Sequence, residues 1–167
     1  VKFGLRRGGR LLLGDEMGLG KTITALVLAR QYLDEWPALV VAPAPLCHVW
    51  QEHALTWLKS DLRPEDIAVV RSSRDMLPSR TKLSIVSYSL IAEPRFQCRP
   101  SDGKDFAVVI VDECHMLRGA TSKRAKAVVP LARRAARTLF LSGTPLVARA
   151  EDAHPLLDAL IPSGDLP

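Results

Sequence analysis

The sequence predicts an α/β fold, a mainly parallel sheet with helices on both faces. Three observations carry this. The apolar runs Leu39-Val40-Val41-Ala42, Phe106 to Val111 and Thr138 to Leu141 lack the in-out alternation of a half-exposed strand, and so suit strands covered on both sides. Longer segments with helical spacing of apolar residues alternate with such runs. The first run, Leu11-Leu12-Leu13, leads within a few residues into Gly18-Leu19-Gly20-Lys21-Thr22, a glycine turn that opens a helix.

The elements follow in order. Arg6, Arg7 and Arg10, with Gly8-Gly9 as a turn, read as a solvated entry to the first strand. From Thr22 to about Leu33 the pattern is helical and apolar around most of its circumference, so this helix packs against the sheet. Trp36-Pro37 stops it before the strand at Leu39. A second helix runs from Leu46 to about Lys59, and its Trp50 and Trp57, seven apart, are assigned to the core. Ile67 to Val70 and Leu83 to Ser87 are short strands, and the Pro, Arg, Ser and Gly residues between Glu93 and Asp105 mark a surface loop. Arg118 to Arg137 reads as a helical pair broken at Pro130, followed by the strand Thr138 to Leu141 and a last helix from Glu151 to Ile161.

Chemistry concentrates at three strand ends. In the turn from Gly14 to Thr22, residues without side chains let backbone N–H groups curl round a phosphate, and the helix start adds its partial positive charge. Lys21 is placed to reach the β- and γ-phosphates and the Thr22 hydroxyl to ligate Mg2+. The general pattern, Gly-x-x-x-x-Gly-Lys-Ser/Thr, wants a glycine where this chain has Asp15. Asp112 and Glu113 directly follow the most apolar strand, at the carboxyl end where open α/β sheets bind ligands. There Asp112 is expected to hold Mg2+ through its water shell, and Glu113 to orient and deprotonate an attacking water. Ser142-Gly143-Thr144 supplies small hydroxyl groups on a third strand-end turn.

Composition bounds the class. A chain of 167 residues, 47% hydrophobic and 25% charged, has the size and balance of one globular domain, and no apolar run is long enough to span a bilayer. The net charge of +5 favours an anionic partner. Between Arg118 and Arg137 there are seven basic residues and no acidic one, which suits a solvated helix face and a phosphate-contacting one equally. Cys47, Cys98 and Cys114 have neither disulfide nor zinc spacing, so a reducing compartment is expected.

Asp15-Glu16-Met17-Gly18-Leu19-Gly20-Lys21-Thr22, Asp112-Glu113-Cys114-His115 and Leu141-Ser142-Gly143-Thr144-Pro145 together resemble motifs I, II and III of superfamily 2 helicases of the Swi/Snf type. Asp15 in place of glycine is itself a hallmark of that family. Leu39 to Pro43 with Trp50 is similar to motif Ia and its helix, and Ile85 to Leu90 to motif Ib, both beside the tracked DNA strand in the family. Gly8-Gly9-Arg10, Glu35-Trp36-Pro37 and Val108 to His115 resemble the HARP-like annealing-helicase, or fork-remodelling, branch. The resemblance implies a RecA-like P-loop lobe spanning 1–167, with ATP bound on residues 15–22, His115 linking the γ-phosphate to motif III, and Cys114 inert. It further implies DNA, duplex or forked, as partner and a nuclear location, with a chromatin-remodelling ATPase as the alternative within the family. A glutamine motif before Val1 and a second RecA-like lobe after Pro167, carrying an arginine finger, are expected from it. So is little ATP turnover by this lobe alone. A metabolite P-loop kinase, a module without turnover and an RNA-acting helicase are the rival readings.

Overall fold

Six strands, β1 (Arg10–Leu13), β2 (Ala38–Ala42), β3 (Ile67–Val69), β4 (Leu83–Ser87), β5 (Val108–Val111) and β6 (Arg137–Leu141), form one sheet in the order β1-β6-β5-β2-β4-β3. Every pairing is parallel. The computed structural model describes residues 1–16, 18–117, 122–143 and 156–161. Helices α1 (Lys2–Arg6), α2 (Lys21–Arg30), α3 (Cys47–Trp57) and α4 (Lys123–Arg134) accompany the sheet among the described residues. Residues 156–160 are also helical.

The pleat sorts each strand between two cores. Ala38, Val40 and Ala42 of β2 face one side with Leu26 and Leu28 of α2 and Trp50 and Ala54 of α3. Leu39 and Val41 face the other, with Phe96, Phe106, Val128 and Leu131. Leu26 and Leu28 are wholly out of solvent, and burial of a leucine side chain stabilises by about 1.5–3 kcal/mol. Both faces being covered explains why the strands read as unbroken apolar runs. Gly9, at φ 75°, is where β1 enters the sheet, and a Cβ there would lie 2.9 Å from both Tyr32 and Arg137.

Local details differ from the sequence expectations for tertiary reasons. α1 has only five residues and too little periodicity to be read. Pro130 lies inside one continuous helix, not at a break: Ala125, Val128, Leu131 and Ala132 are buried on both sides of it, and that packing outweighs the one lost backbone bond. Ser122 starts this helix by accepting a bond from the Ala125 N–H at 3.1 Å. Trp57 is 51% exposed and not in the core, because Trp50, Ala54 and Leu58 carry the buried face of this segment and Trp57 lies off it. Arg10 is no entry-loop cation either. Its guanidinium donates to the carbonyls of Ala132, Ala135, Ala159 and Leu160, joining the carboxyl ends of α4 and the 156–160 helix to β1. Burial, and then the nearby Arg137 charge, lower its pKa from the ordinary arginine value.

Candidate nucleotide site

The loop after β1, the start of α2 and the turn after β5 meet in a cleft of 310 Å³ at the carboxyl ends of the strands. Its walls are Gly18, Gly20, Lys21, Thr22, Ile23, Leu46, His53, Asp112 and Glu113. The sequence-predicted residues from three separated segments therefore converge. The geometry of the loop comes from its glycines. Gly18 and Gly20 have φ of 82° and 77°, and a Cβ at either would meet nothing within 4 Å, so glycine is required by backbone conformation and not by space. Gly20 is the N-cap of α2, which leaves the first N–H groups of that helix facing the cleft. Lys21 Nζ donates to the carbonyls of Asp15 and Glu16, both at 2.7 Å, and so lies along the loop it follows. Met17 lies outside the described residues.

Asp112 ends β5. Its N–H continues the sheet by donating to the Val41 carbonyl at 2.8 Å, which fixes the carboxylate beside the end of β2. Oδ2 accepts from Trp50 Nε1 at 2.8 Å and Oδ1 from the Glu113 N–H at 2.9 Å. Asp112 is only 8% exposed. Burial raises its pKa above the ordinary carboxylate value, opposed by the Trp50 hydrogen bond and assisted by the Glu113 charge. Glu113 itself has φ 49°. A left-handed conformation costs a residue with a side chain about 1–2 kcal/mol, and such strain gathers where function fixes direction. Here it turns the chain sharply after Asp112, so that neighbouring carboxylates make separate contacts. Glu113 Oε2 is 3.0 Å from His115 Nδ1 and accepts from the Gly143 N–H at 3.5 Å. His115 Nδ1 is also 3.3 Å from Ser142 Oγ. The loops after β5 and β6 are thereby joined through His115, while Thr144 and Pro145 lie outside the described residues.

The donor set suits a hard cation that keeps much of its water. Two carboxylates (Asp112 and Glu113) and one hydroxyl (Thr22) line the cleft, Glu113 being taken up by His115, and no group of three His, Cys, Asp or Glu side chains able to hold a metal occurs among the described residues. That is the pattern for Mg2+ completed by phosphate oxygens and water, and it does not suit zinc. Cys114 fits its expected inertness, since burial pushes its thiol up to about 12.

Sequence reasoning missed Trp50 and Tyr88 as site residues. Trp50 was assigned to the core and, by resemblance, to the motif Ia segment, yet its indole holds the Asp112 carboxylate. The Tyr88 hydroxyl donates to the Asp112 carbonyl at 2.6 Å. No local spacing relates residues so far apart. His53 and Leu46 enter the wall through the same helix–turn segment. A second cleft, of 370 Å³, is lined by Ala44, Cys47 and His48 on one wall and Ser87, Ser89 and Leu90 on another, with Arg71 from the segment after β3.

Comparison with known proteins agrees with this geometry. The chain is 41% identical over 163 residues to the SWI/SNF-related matrix-associated actin-dependent regulator of chromatin subfamily A-like protein 1 of Xenopus tropicalis, covering 98% of this chain and 17% of that protein. It is 37% identical over 165 residues to the DNA annealing helicase and endonuclease ZRANB3 of Mus musculus, covering 97% of this chain and 15% of the relative. It therefore corresponds to a small part of either. Among solved structures, the SWI2/SNF2 ATPase core of Sulfolobus solfataricus in complex with dsDNA superposes with a TM-score of 0.76 at 24% identity, over 96% of this chain and 33% of that one, which establishes a shared fold. The SNF2-related domain matches residues 5–164, and the chain belongs to that family.

Proposed function

We propose that this chain is the ATP-binding motor lobe of a DNA-dependent ATPase that remodels or anneals DNA. The observation that carries the reading is the convergence of Lys21, Thr22, Asp112 and Glu113 on one cleft at the carboxyl end of a parallel sheet. The N–H groups around Gly18 and Gly20 and of the α2 start cradle the phosphates, and Lys21 exchanges its two carbonyl partners for the β- and γ-phosphate oxygens. Thr22, and Asp112 through water, would hold Mg2+, which would supply charge neutralisation on the transferring phosphoryl group. Glu113 accepts the proton of the attacking water, with His115 holding its carboxylate from one side and the Gly143 N–H from another. His115 also carries the state of the γ-phosphate site to Ser142.

The second cleft is the place for a DNA strand. Small hydroxyls at Ser87 and Ser89, together with Arg71 and His48, offer phosphate contacts without a base-specific pattern. A duplex-bound structure sharing the fold supports DNA as the polymer. The relative named a DNA annealing helicase supports the annealing branch, and a nuclear location belongs to the same reading. In full-length protein, duplex or forked DNA is expected to stimulate ATP hydrolysis, and RNA is not. An ATPase indifferent to DNA would overturn the proposal. The lobe 1–167 alone is expected to turn over ATP about 10³- to 10⁵-fold more slowly than the full protein, the range for a missing arginine finger.

A further inference from the structure

The two clefts share no lining residue, yet both walls of the second reach the same residue of the first. One wall is the beginning of α3. Cys47 and His48 face the second cleft, and Trp50, on the same turn of helix, turns inward to donate to Asp112 Oδ2 at 2.8 Å. The other wall is the turn after β4. Ser87 and Ser89 face the cleft, and Tyr88 between them points the opposite way, donating to the Asp112 carbonyl at 2.6 Å. Asp112 is thus held by its side chain from one wall and by its backbone from the other. Trp50 is 1% and Tyr88 4% exposed, so both bonds lie in a dry, close-packed interior where direction matters. The Tyr88 hydroxyl is not needed for packing alone, since a phenylalanine ring would fill nearly the same space, whereas Trp50 is a large fully buried side chain and its replacement by phenylalanine also removes volume.

We infer that Trp50 and Tyr88 are positioning residues that couple occupancy of the second cleft to the aim of the Asp112 carboxylate. The inference rests on the reading of that cleft as the DNA site and of Asp112 as the Mg2+ carboxylate. A strand that seats against Cys47 and His48 shifts the start of α3, and the indole moves the carboxylate with it. Contact at Ser87 and Ser89 acts on the Asp112 backbone through the phenol. Coupling of this kind is reciprocal, so DNA tightens Mg·ATP by the same factor as Mg·ATP tightens DNA.

The test is a binding cycle on the full-length protein with a non-hydrolysable ATP analogue, Mg2+ and duplex DNA, run on the unmodified protein, Trp50→Phe and Tyr88→Phe. Coupling in the unmodified protein is expected in the range of about 5- to 150-fold. Trp50→Phe is expected to bring that factor down about fivefold or more while the affinity for DNA alone stays within about threefold, and Tyr88→Phe to act in the same direction by less. A role in folding alone would instead lower the unfolding temperature and leave the factor unchanged. Coupling preserved within about twofold in the folded variants overturns the inference and leaves the DNA site standing. Failure of the unmodified protein to bind DNA overturns both. Should Trp50→Phe not fold, Tyr88→Phe decides the matter by the same criterion.

Discussion

The two ends of the sheet are built on opposite plans. At the amino ends of the strands, charge is neutralised by charge. Arg137 pairs with Glu35 at 2.8 Å, donates to the Gly8 carbonyl and stacks over Tyr32. Arg134 meets Asp105, Arg133 meets Asp158, and Lys82 meets Asp66. At the carboxyl ends Lys21, Asp112 and Glu113 line one cleft, yet among the described residues none of them forms an ion pair with another. Size does not mark the site. The arginine-lined hollow at the amino end, with Arg7, Arg10, Arg133, Arg134 and Arg137, measures 710 Å³ against 310 Å³ for the nucleotide cleft. Its guanidiniums are largely committed to carboxylates and helix-end carbonyls, whereas in the smaller cleft a lysine, a hydroxyl and two carboxylates line one space without pairing charge to charge among themselves. On the proposed function one end serves stability and the other chemistry, and the difference can be measured.

The largest contrast is expected from Glu113→Gln. In the full-length protein it should reduce single-turnover hydrolysis about 10²- to 10⁴-fold, the contribution of a general base, with ATP binding retained and the unfolding temperature little changed. Unaltered turnover would remove Glu113 from the chemistry. At the amino end, Arg137→Met should do the reverse. It breaks a two-point carboxylate pair, a bond to a carbonyl and a stacked contact, which together stabilise by about 1–3 kcal/mol after allowance for partial exposure. Thermal unfolding should fall while turnover per folded molecule stays the same; a loss of turnover at constant stability would erase the division between the ends.

The smallest effect is in pH, and its sign differs between the ends. Asp102, paired with Arg99 ahead of β5, has its pKa lowered to about 2, first by the Arg99 hydrogen bonds. Its contribution to stability is complete above the unfolded value of about 3.9 and is lost as pH falls through about 2. Asp61 and Asp66 are lowered likewise, by hydrogen bonds from Arg30 and from the Arg63 backbone. Asp112 is raised, so it favours the fold below the unfolded value and opposes it as pH rises through the folded one. Carboxyl NMR titration should place Asp112 above an ordinary aspartate and Asp102 below it. A reversed order would contradict both assignments of cause.

Much of this was legible in local sequence. The strands show because each is buried on both faces, and the phosphate loop because Gly18 and Gly20 adopt conformations that few other residues allow. The expected placement of Asp112 and Glu113 after the most apolar strand holds for the same reason: β5 sits inside the sheet and ends at the cleft. Misreadings arose where partners are distant. Pro130 was expected to end a helix because proline does so in isolation, and only the buried residues on both sides of it keep α4 whole. Arg10 looked like a solvated cation, but the helix ends that it joins come more than a hundred residues later.

By itself, then, the sequence determined the class of fold, the strand ends that meet at the cleft and the family, since those depend on periodicity, turn conformation and short motifs. Tertiary structure alone decided which charges are neutralised and which are left to act. It also decided that Trp50 and Tyr88 both hold Asp112, because that follows from register. With Val111 beside Val41 and Ala42 beside Ser87, the ends of β5, β2 and β4 lie next to one another. Hydrogen bonds between residues that far apart leave no local trace, since it is the sheet that brings them within reach.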